Sequence, residues 1–242
     1  MTWSIVARDA SGAFGVAVAS RFFAVGALCP HARADVGAVA TQALVNPGFG
    51  PAALDLLAEG CDAAAIVERL AGADPGREVR QLQLIGVRGP GTAYTGNACV
   101  DWCGHRIDDD FCVAGNMLAG PSVVDDTAAA YRRNAHLPLA ERLLAAMDAG
   151  EAAGGDKRGK QAAALRIVTT ESYPALDLRV DDHAEPLAEL RRLFDRSLER
   201  FQPFVACLPS RANPAGIVDR GLIEREIERF QAARSRTADN RG

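Results

Sequence analysis

The chain has 242 residues, of which 48% are hydrophobic and 24% charged, and its formal net charge is −4. That length suits one large globular domain or two small ones, and the mild acidity argues against a nucleic-acid footprint. No run is long and apolar enough to span a membrane, the N-terminus lacks the features of a signal peptide, and six cysteines in a chain of this size do not make a disulfide scaffold, so a cytoplasmic protein with no membrane partner is expected.

The first 21 residues are the most informative. Thr2–Arg8 reads as a strand, Asp9-Ala-Ser-Gly as a turn, and Phe14–Ser20 as a second strand leading into Arg21. Pairing Arg8 with Phe14 across that turn sets Thr2 opposite Ser20. A threonine one residue behind the initiator Met, opening a buried hairpin, is built like an N-terminal nucleophile, which uses its own α-amine as base for its own hydroxyl. That chemistry requires removal of Met1. Many chains also begin Met-Thr followed by a strand in which the threonine is purely structural.

Trp3–Ala7 and Gly15–Ala19 are apolar on both faces, as befits strands covered on both sides. Val36–Leu44 is a third such strand, stopped by Asn46-Pro47. Pro51–Ala58 and Asp62–Ala71 are helical, with Gly60 ending the first and Asp62 capping the second. Val79–Val87 alternates around Gln81 and Gln83, and Thr92–Thr95 returns after Gly89-Pro-Gly. Phe111–Ala114 is a short strand ending at Gly115-Asn116. Helices follow at Val123–Arg133 and Leu139–Ala149, then a glycine-rich charged loop at Gly154–Gly159 and strands at Ala162–Val168 and Leu176–Val180. Pro186–Phe201 is an amphipathic helix with Pro186 near its start. Pro203–Ile217 reads as an irregular proline-containing arm, Ile223–Phe230 as a last helix, and the tail from Ser235 as disordered.

Hairpins in each strand group, each followed by helices, predict an α+β chain: two antiparallel sheets face to face with helices outside, a four-layer αββα sandwich. One domain over 1–202 is expected, with 203–242 as its C-terminal arm and helix. The apolar stripe of Ile223, Ile227 and Phe230 has little left to cover, which predicts a homodimer or higher homo-oligomer.

Several side chains invite chemistry, each with a plainer alternative. Ser20 reads as a hydroxyl that orients the nucleophile and Arg21 as a clamp for a substrate carboxylate; they read equally as a strand-end cap and an ion pair. Gln42 and Asn46 offer amides to an oxyanion, or hold the Asn-Pro turn. Asn116 is an oxyanion donor or a residue that tolerates a left-handed turn. Cys99, Cys103, His105 and Cys112 follow the spacing C-x3-C-x-H-x6-C, which lacks the paired knuckles of zinc sites, so structural thiols are expected and no metal or other cofactor.

The opening TWSIVARD, then ASRFFAVGA (Ala19–Ala27), VATQALVNPGFG (Val39–Gly50), the stretch Pro138–Leu165 and the stretch Asp177–Leu193 together resemble domain-of-unknown-function family 1028. The resemblance runs from Thr2 to about Leu193 and departs around Cys99–Asp110. It implies a fold of the N-terminal-nucleophile-hydrolase type and no assigned reaction. Gly154–Gly159 reads as an anion cradle or as a loop tightened by glycines with its charges in solvent, and the length of the resemblance there favours site roles for Asp156, Arg158 and Gln161; an acid beside two bases suits a substrate whose carboxylate meets Arg158, with Asp156 meeting an amine or steadying a catalytic group. The resulting expectation is an amide or peptide-like bond hydrolase acting on a small polar substrate. A catalytically silent ligand-binding protein and an oligomeric accessory protein are the alternatives.

Overall fold

The computed structural model describes residues 2–239. It divides into two compact units, Met1–Leu190 and Arg191–Gly242, and the division falls inside the helix Pro186–Glu199. The expected boundary lay at residue 202.

The first unit opens with β1 (Thr2–Arg8) and β2 (Phe14–Ser20). Asp9 builds the turn between them: its Oδ1 accepts from the backbone N–H of Ser11 at 2.9 Å and of Ala13 at 3.0 Å. Gly12 follows at φ 87°, a left-handed position that suits glycine. Strands β3 (Pro30–Arg33) and β4 (Gly37–Ala43) precede helices α1 (Phe49–Ala58) and α2 (Ala63–Ala73). Next come β5 (Arg80–Gly86), β6 (Thr92–Thr95), β7 (Trp102–Ile107) and β8 (Phe111–Leu118). Helices α3 (Ser122–Arg133) and α4 (Leu139–Ala152) then lead into β9 (Ala162–Val168) and β10 (Leu176–Val180), and α5 (Pro186–Glu199) follows.

One sheet has the order β10-β9-β2-β1-β8-β7 and the other β3-β4-β5-β6, and every named pairing is antiparallel. Helices α1 and α2 cover the smaller sheet, packing Phe49, Ala53 and Ile66 on Val39, Leu82 and Leu84. Helices α3 and α4 cover the larger one, with Tyr131 on Phe111 at 4.7 Å between ring centroids. The two sheets face each other through β1 and β4, β5 and β8, and β6 and β7. This is the expected four-layer αββα sandwich.

The alternation of side chains along a strand then decides what fills the space between the sheets. Thr2, Ser4 and Val6 share one face of β1. Val16, Val18 and Ser20 do so on β2, Ala38, Ala40 and Gln42 on β4, and Gln81, Gln83 and Ile85 on β5. Toward the β1–β2 turn this space is a dry core of Val6, Val16, Val18, Ala38 and Ile85. Toward the chain start it is polar, and Thr2, Ser4, Ser20, Gln42, Gln81, Gln83 and Asn116 are all buried there.

Two edge strands were not legible beforehand. β3 opens on a proline and carries a histidine and an arginine, which suits an edge and hides the strand pattern. β7 lies in the segment Cys99–Asp110, where the expected departure from the family pattern masked it; its second half is exposed. In the second unit the arm begins with a helix, α6 (Phe201–Val205), because a proline within the first turn is compatible with helix. The last helix, α7, runs over Arg220–Asp239, so residues 235–239 are helical and not the disordered tail expected; 240–242 lie outside the described residues. α6 packs on α7, so the apolar stripe of α7 is not left wholly bare, and Ile227 is buried. Among the described residues no helix is long and apolar enough to cross a membrane.

Two glycines separate the packing argument from the propensity argument. A Cβ at Gly15 would lie 2.5 Å from Leu143 Cδ1 on α4, whereas Gly72 in α2 has open space around it. Gly15→Ala is expected to destabilise the chain by about 1–3 kcal/mol through overpacking, and Gly72→Ala to stabilise it by about 0.5–1 kcal/mol through helix propensity. Urea denaturation midpoints for the two variants check both signs.

Candidate active site

Thr2 sits at the start of the central strand of the larger sheet, between two partners set by register. It faces Ser20 across β1–β2 and Asn116 across β1–β8, so the Thr2–Ser20 pairing is the one read from the sequence. The two hydroxyls are hydrogen-bonded, Thr2 Oγ1 to Ser20 Oγ at 3.0 Å. Both residues are buried.

Below this pair lies a network of primary amides. Gln42 Nε2 donates to Gln81 Oε1 at 2.7 Å, to the Ala114 carbonyl at 3.1 Å and more distantly to the Thr2 carbonyl at 3.4 Å. Asn116 Nδ2 donates to Gln81 Oε1 at 3.1 Å and to the Thr2 carbonyl at 3.3 Å. Gln81 Nε2 donates to the Gly115 carbonyl at 2.8 Å, and Ser4 Oγ to Gln42 Oε1 at 2.5 Å. Gln83 Nε2 donates to Ser4 Oγ at 2.7 Å. Gln42 and Asn116, for which the sequence offers either an oxyanion-donor or a structural role, spend their N–H groups on the Thr2 carbonyl, the Ala114 carbonyl and Gln81: they position the threonine. Gln81, Gln83 and Ser4 were not singled out as site residues. The signal was present, since Gln81 and Gln83 share one strand face, but period-2 polarity does not say which face is interior.

Arg21, Asp156 and Arg158 converge beside Ser20. Asp156 Oδ2 accepts the Arg21 backbone N–H at 2.8 Å, and Oδ1 accepts the Arg158 backbone N–H at 2.8 Å. Arg21 Nη1 donates to the Arg158 carbonyl at 2.9 Å, and Arg158 Nη2 to the Arg21 carbonyl at 3.2 Å. The glycine-rich loop is therefore laced to the end of β2. Asp156 is buried and accepts from two backbone donors and, at 3.4 Å, from Arg158 Nη2, which makes it a clasp for the loop. The Arg158 side chain keeps 42% of its surface exposed.

Two expected site residues lie elsewhere. Gln161 bonds the Ser20 carbonyl through its backbone N–H at 3.2 Å, but its side-chain Nε2 turns to Asp182 Oδ1 at 3.1 Å. Asn46 Oδ1 accepts the Gly48 N–H at 3.1 Å and its Nδ2 reaches Asp74 Oδ2 at 3.4 Å, so it holds the Asn-Pro turn, the plainer of its two readings. Cys112 is buried in the inter-sheet core, while Cys99 and Cys103 donate to the carbonyls of Arg80 and Cys99. No group of three or more His, Cys, Asp or Glu among the described residues is arranged to hold a metal ion.

The polar end of the sandwich opens into two adjoining cavities. One, of about 210 Å³, is lined by Thr2, Phe22, Val25, Leu28, Gln42 and Leu44, among others. The second, of about 290 Å³, includes Val79, Cys99, Val100, Asn116, Met117 and Arg158 in its wall. Ala43 and Leu44 belong to both. Ala43 and Met117, which directly follow Gln42 and Asn116, adopt left-handed φ values of 69° and 53°. Such a conformation costs a non-glycine residue roughly 1–2 kcal/mol and is found where surrounding structure over-determines it. Among the described residues no carboxylate, imidazole or amine side chain lines the Thr2 cavity, and burial pushes the Cys29 thiol there up to about 12, which keeps it neutral.

Fold and site define a four-layer sandwich with a buried threonine, one residue behind Met1 in the sequence, at one end of its inter-sheet space. The family model described as "Family of unknown function (DUF1028)" matches residues 2–190, and the chain belongs to that family. Among solved structures the chain is similar to protein SPO2555 from Silicibacter pomeroyi, a DUF1028 protein, at 29% identity and a TM-score of 0.84, over 91% of this chain and 96% of that one. It is more distantly similar to Anbu, the ancestral beta-subunit from Yersinia bercovieri, at 13% identity and a TM-score of 0.40, over 81% of this chain and 94% of that one. No curated protein matches.

The clasp makes a prediction. Asp156→Ala removes two part-buried bonds from a carboxylate and is expected to cost about 1.5–3 kcal/mol. Arg158→Ala loses its exposed bond to the Arg21 carbonyl and a long contact with Asp156, both screened by solvent, and is expected to cost under about 1 kcal/mol. Thermal melts of the two variants at pH 7 check the ranking.

Proposed function

We propose that the protein is an amide-bond hydrolase whose nucleophile is the hydroxyl of Thr2 and whose base is the Thr2 α-amine. The observation that carries this reading is the buried Thr2–Ser20 hydroxyl pair, at 3.0 Å, in a cavity with no carboxylate, imidazole or amine side chain among the described residues. A hydroxyl needs a base to become a nucleophile, and there the α-amine is the group that can serve. Met1, whose removal this requires, lies outside the described residues.

In this mechanism Thr2 Oγ1 attacks the substrate carbonyl while the α-amine takes its proton. The tetrahedral intermediate collapses, the C–N bond breaks, and the ammonium returns the proton to the leaving amine. Water then attacks the threonyl ester, its proton passes to the same amine, and the acid product leaves as Oγ1 is reprotonated. Ser20 orients Oγ1, and Gln42 and Asn116 fix the Thr2 carbonyl, so the amine and hydroxyl are held in one geometry.

One observation favours a second reading, a ligand-binding protein without turnover: the amides expected to stabilise an oxyanion are already donating inside the network. The state of the N-terminus separates the two. Intact mass is expected to be that of the chain lacking Met1, and retained Met1 would leave the amine as a peptide nitrogen and exclude the mechanism.

Two kinetic outcomes follow. With Met1 absent, Thr2→Ala should abolish hydrolysis with little change in melting temperature. Because the base must be unprotonated, kcat/KM should fall as pH drops below the α-amine pKa, about 7.7–8.0 when unperturbed, and a pH–rate profile of the mature chain reads that limb.

A further inference from the structure

The two adjoining cavities differ in chemistry. Phe22, Val25, Leu28, Leu44 and Val45 dominate the one that holds Thr2. Its remaining polar groups are turned away or engaged: Thr41 Oγ1 donates to the Asn46 carbonyl at 3.0 Å, and the Gln42 amide belongs to the network. The apolar character continues to the rim, where Phe22 is 51% and Leu44 66% exposed. At about 210 Å³ this cavity has room for a ring or a branched aliphatic group, since a cavity of about 150 Å³ takes up benzene. The second cavity carries a guanidinium in its wall. Arg158 Nη2 is occupied by Arg21 and Asp156, whereas its Nη1 and Nε donate to nothing among the described residues, so charged N–H donors remain for a carboxylate. Ala43 and Leu44 form the ridge between the two.

We infer that the ligand of this site is an N-acyl amino acid: an apolar acyl group in the Thr2 cavity, an amide across the Ala43–Leu44 ridge, and a carboxylate on Arg158. This rests on the reading of Thr2 as the nucleophile only for turnover, not for binding. Each polarity has its own place: an acyl group outside water, a carbonyl beside the Thr2 hydroxyl, an anion at the cation. A hydrolysed ligand of this class gives an apolar carboxylic acid and a free amino acid.

The test is isothermal titration of the Thr2→Ala chain with N-phenylacetylglycine, N-acetylglycine and phenylacetamide. N-phenylacetylglycine is expected to bind at least about tenfold more tightly than either other, since each buried methylene is worth about fourfold and the carboxylate adds a charged hydrogen bond. Arg158→Ala should remove the advantage over phenylacetamide. Leu28→Trp should remove the advantage over N-acetylglycine, and Leu28→Ala should enlarge it for bulkier acyl groups. If Leu28→Trp does not fold, the Leu28→Ala shift carries the acyl test. Equal affinity for the three probes, no binding of any, or indifference to both Arg158 and Leu28 overturns the assignment. Glycine release from N-phenylacetylglycine by the unsubstituted chain is read separately. Selective binding without release supports the ligand class and removes Thr2 as nucleophile; release with no acyl or carboxylate selectivity does the reverse.

Discussion

The structure depends on one buried hydrogen-bond network, the amides of Gln42, Gln81 and Asn116 between the two sheets. Apolar faces alone stack two sheets without fixing how one sits over the other. Buried amides must find partners with good geometry, because each one left unpaired costs about 1–3 kcal/mol. Gln42 reaches from the smaller sheet to the Ala114 carbonyl, and Gln81 to the Gly115 carbonyl, both on β8 of the larger sheet. Those bonds lock β4 and β5 over β1 and β8. The Thr2 carbonyl is held by the same set, so the relative placement of the sheets and of Thr2 is one decision.

The polarity gradient along the inter-sheet space follows from that arrangement. Valines and alanines close the end near the β1–β2 turn, so dry packing supplies stability there. At the other end, polar side chains replace them, the space opens into cavities, and two non-glycine residues take left-handed backbone conformations directly after network members. Strain next to a buried polar network is the signature of a site held in shape by its surroundings. The Asp156 clasp extends the same logic outward by tying the loop that bears Arg158 to the end of β2.

Much of this was legible in the sequence. The hairpin register needed only the Asp9–Gly12 turn and strand alternation, and it set Thr2 against Ser20 before any coordinates. The αββα order followed from strand groups apolar on both faces. Edge strands were harder: β3 holds a proline, a histidine and an arginine, and β7 leaves half its length in solvent, so neither has the periodicity that marks a strand. Pro203 read as a helix breaker because a one-dimensional pattern does not reveal that it falls in a first turn. The network was half visible. Gln42 and Asn116 stood out beside strand ends, but their role changed from donors for a ligand to donors for the Thr2 backbone. Whether an amide is free depends on partners from other strands, such as Gln81, that spacing along one strand does not name. Asp156 is the same case, since its partner Arg21 is 135 residues away in sequence.

The central claim is that the hydroxyl of Thr2 is the reacting atom. Treating the purified chain with a β-lactone and mapping the adduct by tandem mass spectrometry tests it directly. The account predicts a single acyl ester on Thr2 of a chain that begins at Thr2, lost when that residue is alanine. An adduct confined to a cysteine or lysine, or none on Thr2 while the native N-terminus is free, would contradict it.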